Sequence, residues 1–388
     1  MATSQWGCTD PLALNFNPLA QLNDGTCTYP PSNYQPVLTN NLNENLNENS
    51  ALIHWNNELI TLNDGGNEAA LFFMDLAGNI VRKVVIEQAT NYDWEALAQD
   101  SQFIYIGDFG NNYGNRTNLC VYKVSKTAIT NSTNDTVQAL QLNFTFENQT
   151  NFSAALNANN FDCEGFFYHQ DSLHLFTKNW LNLQTRHYIL PNNWVGTVNA
   201  IQKDSFLVDG LITDATIDSA TARILLIGYK NNGNNLYTSF IWILSDFSPH
   251  HYFSGNKRRI EIGNMLSLSQ TEGITLIDSV SGYLSSERIS SVITIPAKLF
   301  TFNLGDFFYQ NDASTQLLIP SKQIELYPNP ANGMLYFSQP VYALSIKALD
   351  GTVVVNAPHF SDCLDINSLK PGLYYVKGTG FCEKLQIY

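Results

Sequence analysis

Five acidic residues along the middle of the chain occur in a common setting. Each is followed by small residues and then by an apolar run, as in Glu164-Gly-Phe-Phe and Glu272-Gly-Ile-Thr. The five positions are Glu48, Glu95, Glu164, Asp214 and Glu272. Carboxylates that lie close together repel one another, and a bound Ca²⁺ removes the repulsion because it takes carboxylate oxygens as ligands. We therefore treat all five as candidate metal ligands.

Further polar residues follow the second strand-like run of each repeat. Candidate ligand-binding residues are Asp64, Asp93, Asp108, Asn112, Lys178, Tyr229 and Glu287. The candidate catalytic residues are Glu95, Glu164, Glu272, Lys178 and Lys230, because a metal-activated water beside a cation can attack a phosphate ester. Two structural alternatives stay open: the acids bind backbone N–H groups of neighbouring repeats, and the cations only pair with the acids.

The elements that must position these residues are short strands. Runs such as Phe103–Gly107, Leu173–Thr177 and Arg223–Gly228 are rich in β-branched and aromatic residues and are bounded by Asn, Gly and Asp. About four such runs in each period of roughly 40 to 60 residues are typical of propeller blades. Residues 48–310 are therefore predicted to form an all-β, five-bladed β-propeller. A six-bladed propeller is the alternative, since the second repeat is long.

A small module bounded by cysteines precedes the propeller. Cys8 and Cys27 are predicted to form a disulfide within residues 1–30, and the Asn- and Pro-rich residues 31–47 are predicted to be a linker. Candidate calcium ligands in this module are Asp10, Asn15, Asn17 and Asp24. The alternative is that these side chains only make Asx turns.

Three segments resemble known families. The first lies in the middle of the chain, at Leu62-Asn-Asp-Gly-Gly66, Asn91–Ala98 and Tyr105–Asn112. These residues resemble secreted bacterial propellers of the SdiA-regulated and esterase-like phytase type. This resemblance implies the fold of residues 48–310 and, for a phytase-like enzyme, metal-dependent hydrolysis. The N-terminal module resembles thrombospondin type 3-like calcium repeats, with Asn at 17 and 23 where Asp is common.

The third resemblance lies at the C-terminus. Tyr327-Pro-Asn-Pro330, Asp350-Gly351 and Leu369-Lys-Pro-Gly-Leu-Tyr374 resemble, in order, the motifs of the type A sorting domain of the type IX secretion system. The resemblance implies a β-sandwich over residues 323–388, after a linker at 311–322. It also implies that the export machinery is a partner and that the protein is secreted from, or held on the outer surface of, a Gram-negative bacterium. Cys363 and Cys382 are predicted to form a second disulfide.

Composition narrows the function. The 388 residues carry a net charge of −14, which argues against a nucleic-acid partner, and no apolar run is long enough to span a membrane. Our hypothesis is an exported propeller that binds an extracellular glycan, protein or small molecule, with calcium as a candidate structural ion. A secreted metal-dependent hydrolase of a phosphate ester or lactone and a passive surface-assembly component are the alternatives. Whether the protein is an enzyme is left open.

Overall fold

The computed structural model describes residues 5–233, 236–290, 294–308, 326–341, 344–349, 351–357, 361–378 and 381–388. The chain divides into two compact units, Met1–Gln310 and Asn311–Tyr388. No helix in the described ranges is long and apolar enough to cross a membrane. The predicted linker at 311–322 lies outside the described residues.

The first unit contains five antiparallel four-stranded sheets, which are the blades of a propeller. Blade 1 comprises Ile53–Trp55, Glu58–Thr61, Ala70–Met74 and Ile80–Glu87. Blade 2 comprises Trp94–Gln99, Phe103–Asp108, Cys120–Ser125 and Thr136–Phe146. Blade 3 comprises Asp162–His169, Ser172–Lys178, Gln184–Pro191 and Thr197–Leu207.

Blades 4 and 5 complete the ring. Blade 4 comprises Leu211–Asp218, Arg223–Asn231, Tyr237–Ser245 and Asn256–Asn264. Blade 5 comprises Gln270–Leu276, Ser281–Glu287, Lys298–Asn303 and, from the N-terminal part of the chain, Val37–Asn41. The first strands of successive blades contact one another in a closed circle, so these strands line the central channel. The prediction of a five-bladed propeller is confirmed.

The fourth strand of blade 5 corrects the predicted linker at 31–47. Val37–Asn41 pairs antiparallel with Lys298–Asn303, and Ser32–Asn33 pairs in parallel with the outer strand of blade 4. The segment has no hydrophobic periodicity because all five residues of Val37–Asn41 are exposed on the outer edge. The N-terminal chain therefore closes the ring by joining its last blade.

The long second repeat does not hide a sixth blade among the described residues. Its additional length forms the helix Lys126–Asn131 and an irregular segment at 147–161. The outer strand Thr136–Phe146 also extends beyond its own blade. It pairs in parallel with the outer strands of blade 1 and blade 3. This strand therefore joins three blades along the rim.

Apolar side chains from neighbouring blades form the core. One cluster fills the space between blades 1 and 2 around Trp94, and another lies between blades 2 and 3 around Phe109 and Tyr188. These three aromatic residues are fully buried. Cys120 and Cys163 are buried thiols within these clusters. Because each blade packs its faces against its neighbours, the ring is held by side-chain packing as well as by strand pairing.

Smaller elements complete the first unit. Those outside the blades are the strands Trp6–Gly7, Leu22–Asn23, Ile289–Ser290 and Thr294–Ile295, the short helix Met265–Leu268, and single 3₁₀ turns at Glu44–Leu46, Tyr252–Ser254 and Gly305–Phe307. The predicted Cys8–Cys27 disulfide is present, with an S–S distance of 2.02 Å. This module contacts blade 4, where Asn23 donates to the Asp246 carbonyl and to Asn256 Oδ1.

The second unit has two sheets, as expected for a β-sandwich. One contains Leu326–Tyr327, Met334–Val341 and Ser361–Asp365. The other contains Leu344–Ala348, Val353–Ala357, Gly372–Gly378 and Phe381–Ile387. Leu335, Ile346, Val376 and Leu385 belong to its buried core. A second disulfide was predicted between Cys363 and Cys382, and the side chain of Cys382 lies outside the described residues.

Candidate functional site

One end of the propeller channel collects the acidic residues. Glu95, Glu164 and Glu272 lie near the beginning of the innermost strands of blades 2, 3 and 5, and all three are buried. Because the second strand of each blade runs antiparallel to the first, its last residues return to the same end. These ends include Asp108 and Lys178. We call this end of the channel the acidic mouth.

Three carboxylates of the acidic mouth converge. Asp64 follows the second strand of blade 1, whereas Asp93 and Glu95 flank the beginning of blade 2. Each contributes an oxygen atom, and the three oxygen atoms lie within 4.8 Å of one another. Glu95 is buried, while Asp64 and Asp93 are partly exposed. We call these three residues the carboxylate triad. Carboxylate oxygens at this spacing are a suitable ligand set for Ca²⁺.

Glycines allow the triad to pack this closely. A Cβ atom at Gly110 would lie 2.5 Å from Glu95 Oε1 and 2.6 Å from Asp93 Oδ2. A Cβ atom at Gly65 would lie 2.5 Å from Asp93 Oδ1. Any larger residue at either position would displace these carboxylates. The glycines in Asn63-Asp-Gly65 and Asp108-Phe-Gly110 are therefore part of the site.

Burial makes the triad resist ionisation when no cation is bound. Burial, followed by the charge of Asp64, raises the pKa of Asp93 to about 7. The same two causes, in the same order, raise the pKa of Glu95 well above its ordinary value. Few donors oppose this shift: the Ser50 hydroxyl donates to Glu95 Oε2 at 2.8 Å. A divalent cation would supply the missing positive charge.

Asp108 adds an unused oxygen next to the triad. Its Oδ1 accepts a hydrogen bond from the backbone N–H of Asp93 at 3.1 Å and one from Arg116 Nη2 at 2.7 Å. Its Oδ2 is buried and has no hydrogen-bond partner among the described residues. Burial raises the pKa of Asp108. An unpaired buried carboxylate oxygen is costly, so this atom also indicates that a cation or water belongs nearby.

A buried ion pair occupies the blade 3 side of the acidic mouth. Lys178 Nζ donates to both carboxylate oxygens of Glu164 at 2.7 Å. Burial favours the neutral form of Lys178. The negative charges around it, above all that of Glu164, outweigh this effect and hold the pKa of Lys178 well above its ordinary value. Its Nζ also lies 5.2 Å from the ring centroids of Trp180 and Tyr229. Lys178 is therefore satisfied by its own surroundings.

Two acids of the acidic mouth bind backbone N–H groups, which is the structural alternative stated above for the repeated acids. Asp214 accepts hydrogen bonds from the backbone N–H groups of Ala215 and, on blade 5, of Ile274. Asp162 at the beginning of blade 3 accepts one from the backbone N–H of Asn111 on blade 2 at 2.6 Å. Both carboxylates therefore link neighbouring blades. The candidate metal ligand Asp214 points its oxygens at backbone groups and does not join the triad.

Three other candidates are not members of the triad. Glu48 is exposed, and at the position of an inner-strand acid blade 1 has Ser50 instead. Lys230, near the end of the second strand of blade 4, pairs with Asp209 at 2.6 Å. Glu287 ends the second strand of blade 5, where burial and the charge of Glu272 raise its pKa well above the ordinary value.

Two further candidates keep local partners. Glu272 accepts from Gln270 Nε2 at 2.5 Å, and burial raises the pKa of Glu272 to about 7. The carbonyl of Asn112 accepts from Asn157 N and from Asn159 Nδ2. The backbone of Asn112 thus holds the irregular segment at 147–161 near the acidic mouth.

The candidate calcium ligands of the N-terminal module hydrogen-bond within that module. Asp10 accepts from Leu12 N and the Tyr29 hydroxyl, and Asn17 accepts from Leu19 N. Asn15 accepts from Thr28 N, and Asp24 accepts from Thr26 N and its hydroxyl. Three of these bonds run from a backbone N–H to the side chain two positions before it, which is the geometry of an Asx turn. These contacts support the turn alternative for this module.

Sequence reasoning missed several residues of the acidic mouth. Ser50 was missed because a serine breaks the acidic pattern, although its distance from Leu62 and Asn63 matches the repeat. Trp180 is not among the predicted site residues, yet its indole N–H donates to Asp162 Oδ2 at 2.8 Å. Two glycines could have been recognised from the sequence. Gly65 follows Asp64 directly, and Gly110 stands two residues after Asp108, both in turn-like sequence. Close approach to a carboxylate is a reason for glycine at such positions.

Comparisons with known proteins give one family match, at the C-terminus, and several distant structural similarities. Residues 325–382 match the family model described as a secretion system C-terminal sorting domain. No curated protein matches the chain. Among solved structures, a hypothetical protein from Leishmania major shares 12% identity over 70% of this chain and 90% of its own, with a TM-score of 0.42. The aldose sugar dehydrogenase of Streptomyces coelicolor, solved with PQQ, shares 9% over 70% and 100%, with a TM-score of 0.38.

A third solved structure, the calcium-binding protein regucalcin of Agrobacterium tumefaciens, shares 12% identity over 70% of this chain and 95% of its own, with a TM-score of 0.38. Similarities this distant do not transfer an activity. The sorting-domain resemblance is supported, whereas the subtype of the propeller and the thrombospondin-like module stay predictions. The chain thus combines a propeller with a secretion sorting domain, which indicates a secreted or cell-surface protein.

Proposed function

We propose that this protein is an exported binding protein whose acidic mouth holds a divalent cation, calcium in the first instance, and presents it to an extracellular ligand. The observation that carries the proposal is the convergence of three carboxylate oxygens from Asp64, Asp93 and Glu95 within 4.8 Å. Two of the three residues are partly exposed, so a ligand could reach a cation bound between them. Calcium suits such a site because it accepts several oxygens and keeps positions for other ligands.

The charge distribution supports binding more than phosphate-ester hydrolysis. A hydrolase of this kind needs a cation free to hold the phosphate beside the metal. Lys178 is committed to Glu164, and Arg116 is committed to Asp108 and to the Gly110 carbonyl. An anionic substrate would also meet the remaining carboxylates of the acidic mouth. Hydrolysis of a phosphate ester or lactone is therefore the second candidate function. Only the partial exposure of Asp64 and Asp93 favours it.

Export follows from the C-terminal unit. The match at residues 325–382 supports type IX secretion as the route and its machinery as a partner. Since the extracellular medium supplies calcium at millimolar concentration, an exported site with three carboxylates needs only modest affinity. The outer surface of a Gram-negative bacterium or the medium around it is the proposed location.

The experiment is a metal analysis of the purified protein with matched variants. After dialysis against calcium we expect bound calcium in the wild type and a fall in melting temperature on addition of EDTA. Glu95→Gln should abolish both effects because the neutral amide lowers the charge of the triad. Asp24→Asn in the N-terminal module is the control and should behave like the wild type. Calcium bound equally by both variants would refute the proposed site.

A further inference from the structure

A polar pocket adjoins the carboxylate triad on the blade 1 side. Its volume is about 680 Å³, which is the size of a site for a small ligand. Glu48, Asn63 and Asn67 line it on one side, and Arg288 of blade 5 contributes from another. Asn67 connects the pocket to the triad, since its Nδ2 donates both to Glu48 Oε2 and to the carbonyl of Asp64.

Several groups in this pocket have unused hydrogen-bonding capacity. Asn63 is 7% exposed, and its Nδ2 donates to the Asn45 carbonyl, but its Oδ1 has no donor within reach. In the part of the chain that the structure describes, the guanidinium of Arg288 and the carboxylate of Glu44 make no hydrogen bond or ion pair. A buried acceptor without a donor is uncommon and is costly unless water or a ligand satisfies it.

The charges of the pocket nearly cancel. Lys83 and Glu68 form an ion pair at 2.8 Å, which removes both from the balance. Two carboxylates, Glu44 and Glu48, then face one guanidinium, Arg288. An anionic ligand would meet an excess of negative charge, whereas a simple cation would leave Arg288 without an acceptor. A ligand that both donates and accepts hydrogen bonds and carries no charge fits all of these groups.

We propose that this pocket binds a neutral saccharide, with its hydroxyl groups as the recognised feature. A hydroxyl can donate to Glu44 or Glu48 and accept from Arg288, all of which line the pocket. Planar amide, carboxylate and guanidinium groups each offer two atoms and can engage adjacent hydroxyls together. The inference rests on the proposed function, because the saccharide would be the extracellular ligand that lies next to the cation of the triad.

The test uses methyl glycosides of glucose, galactose and xylose as probes, with saturation-transfer NMR on the full chain. We expect at least one glycoside to bind with millimolar affinity. Arg288→Met should weaken it by about tenfold, since it removes a charged donor but keeps the exposed stem. Lys203→Met, on the exposed outer strand of blade 3, is the matched control and should bind as the wild type does. Glu48→Ala gives a second, independent variant in the pocket.

Three outcomes overturn the proposal: no glycoside binds, Arg288→Met and Lys203→Met bind alike, or glycerol 3-phosphate binds in preference to the glycosides. The calcium content of the same samples separates this failure from that of the proposed function. Glycoside binding that depends on Arg288 in a calcium-free protein would support the pocket and count against the cation. Calcium bound by the triad without any glycoside binding would support the cation and count against the pocket.

Discussion

Replacing Asp93 by Asn should stabilise the calcium-free protein at neutral and alkaline pH. The pKa of Asp93 rises from 3.8 to about 7 because of burial and the charge of Asp64. Each pKa unit of this difference corresponds to about 1.4 kcal/mol. Ionising Asp93 in the folded state therefore lowers the free energy of unfolding by at most about 4 kcal/mol. Asparagine has nearly the same shape and no charge, so it avoids this cost.

The sign of the effect changes with pH and with calcium. Because the folded pKa is the higher one, the stability contributed by neutral Asp93 is fully present below about pH 4 and is lost as the pH rises towards 7. The advantage of Asp93→Asn should therefore be greatest above pH 7 and should shrink at pH 5. Saturating calcium should reverse the order, since the cation stabilises the ionised wild type but binds the variant weakly.

Urea unfolding at pH 5 and pH 8, each with EDTA or calcium, measures these free energies of unfolding. Asp75→Asn is a control of opposite sign, because hydrogen bonds from Asn79 lower the pKa of Asp75. That variant should lose stability at pH 8 and be indifferent to calcium. An Asp93→Asn variant that is equally destabilised at both pH values, with or without calcium, would refute the reasoning.

Three other predictions concern the same end of the channel. Lys178→Met should lower the free energy of unfolding by about 3 kcal/mol in chemical denaturation, because it leaves Glu164 buried without a partner. Adding Glu164→Gln should restore much of this loss, and equal losses in the single and double variants would contradict the prediction. Gly110→Ala should weaken calcium binding in calorimetry by about tenfold, since the new Cβ displaces Glu95, whereas Gly372→Ala in the sorting domain should not. Calcium affinity should fall as the pH drops below 7, with protons released on binding; calorimetry in two buffers that shows no proton release would be inconsistent with the raised carboxyl pKa values.

The sequence predicted the propeller because its blades are local. Each blade takes three or four of its strands from one continuous segment, so the repeat of acids, apolar runs and turns is visible along the chain. The outer strand Val37–Asn41 was missed because it pairs with residues more than 250 positions away and is fully exposed. Such a strand has neither the hydrophobic period nor the local turn that identifies a hairpin.

The candidate site was predicted in part. Glu95, Glu164 and Glu272 lie near the beginning of inner strands in the acidic mouth, as the repeat suggested. Glu48 is exposed instead, and Ser50 takes the equivalent place in blade 1. The sequence could not tell which acids meet each other and which meet backbone N–H groups, as Asp214 does. That choice depends on the curvature of the ring, which brings residues of blades 1 and 2 together.

Calcium at the carboxylate triad is the central claim, and a crystal grown with calcium tests it most directly. We predict an anomalous difference peak between Asp64, Asp93 and Glu95, with metal–oxygen distances of about 2.3–2.6 Å. No peak at the triad in a crystal that contains ample calcium, or a peak confined to the N-terminal module, would contradict the account.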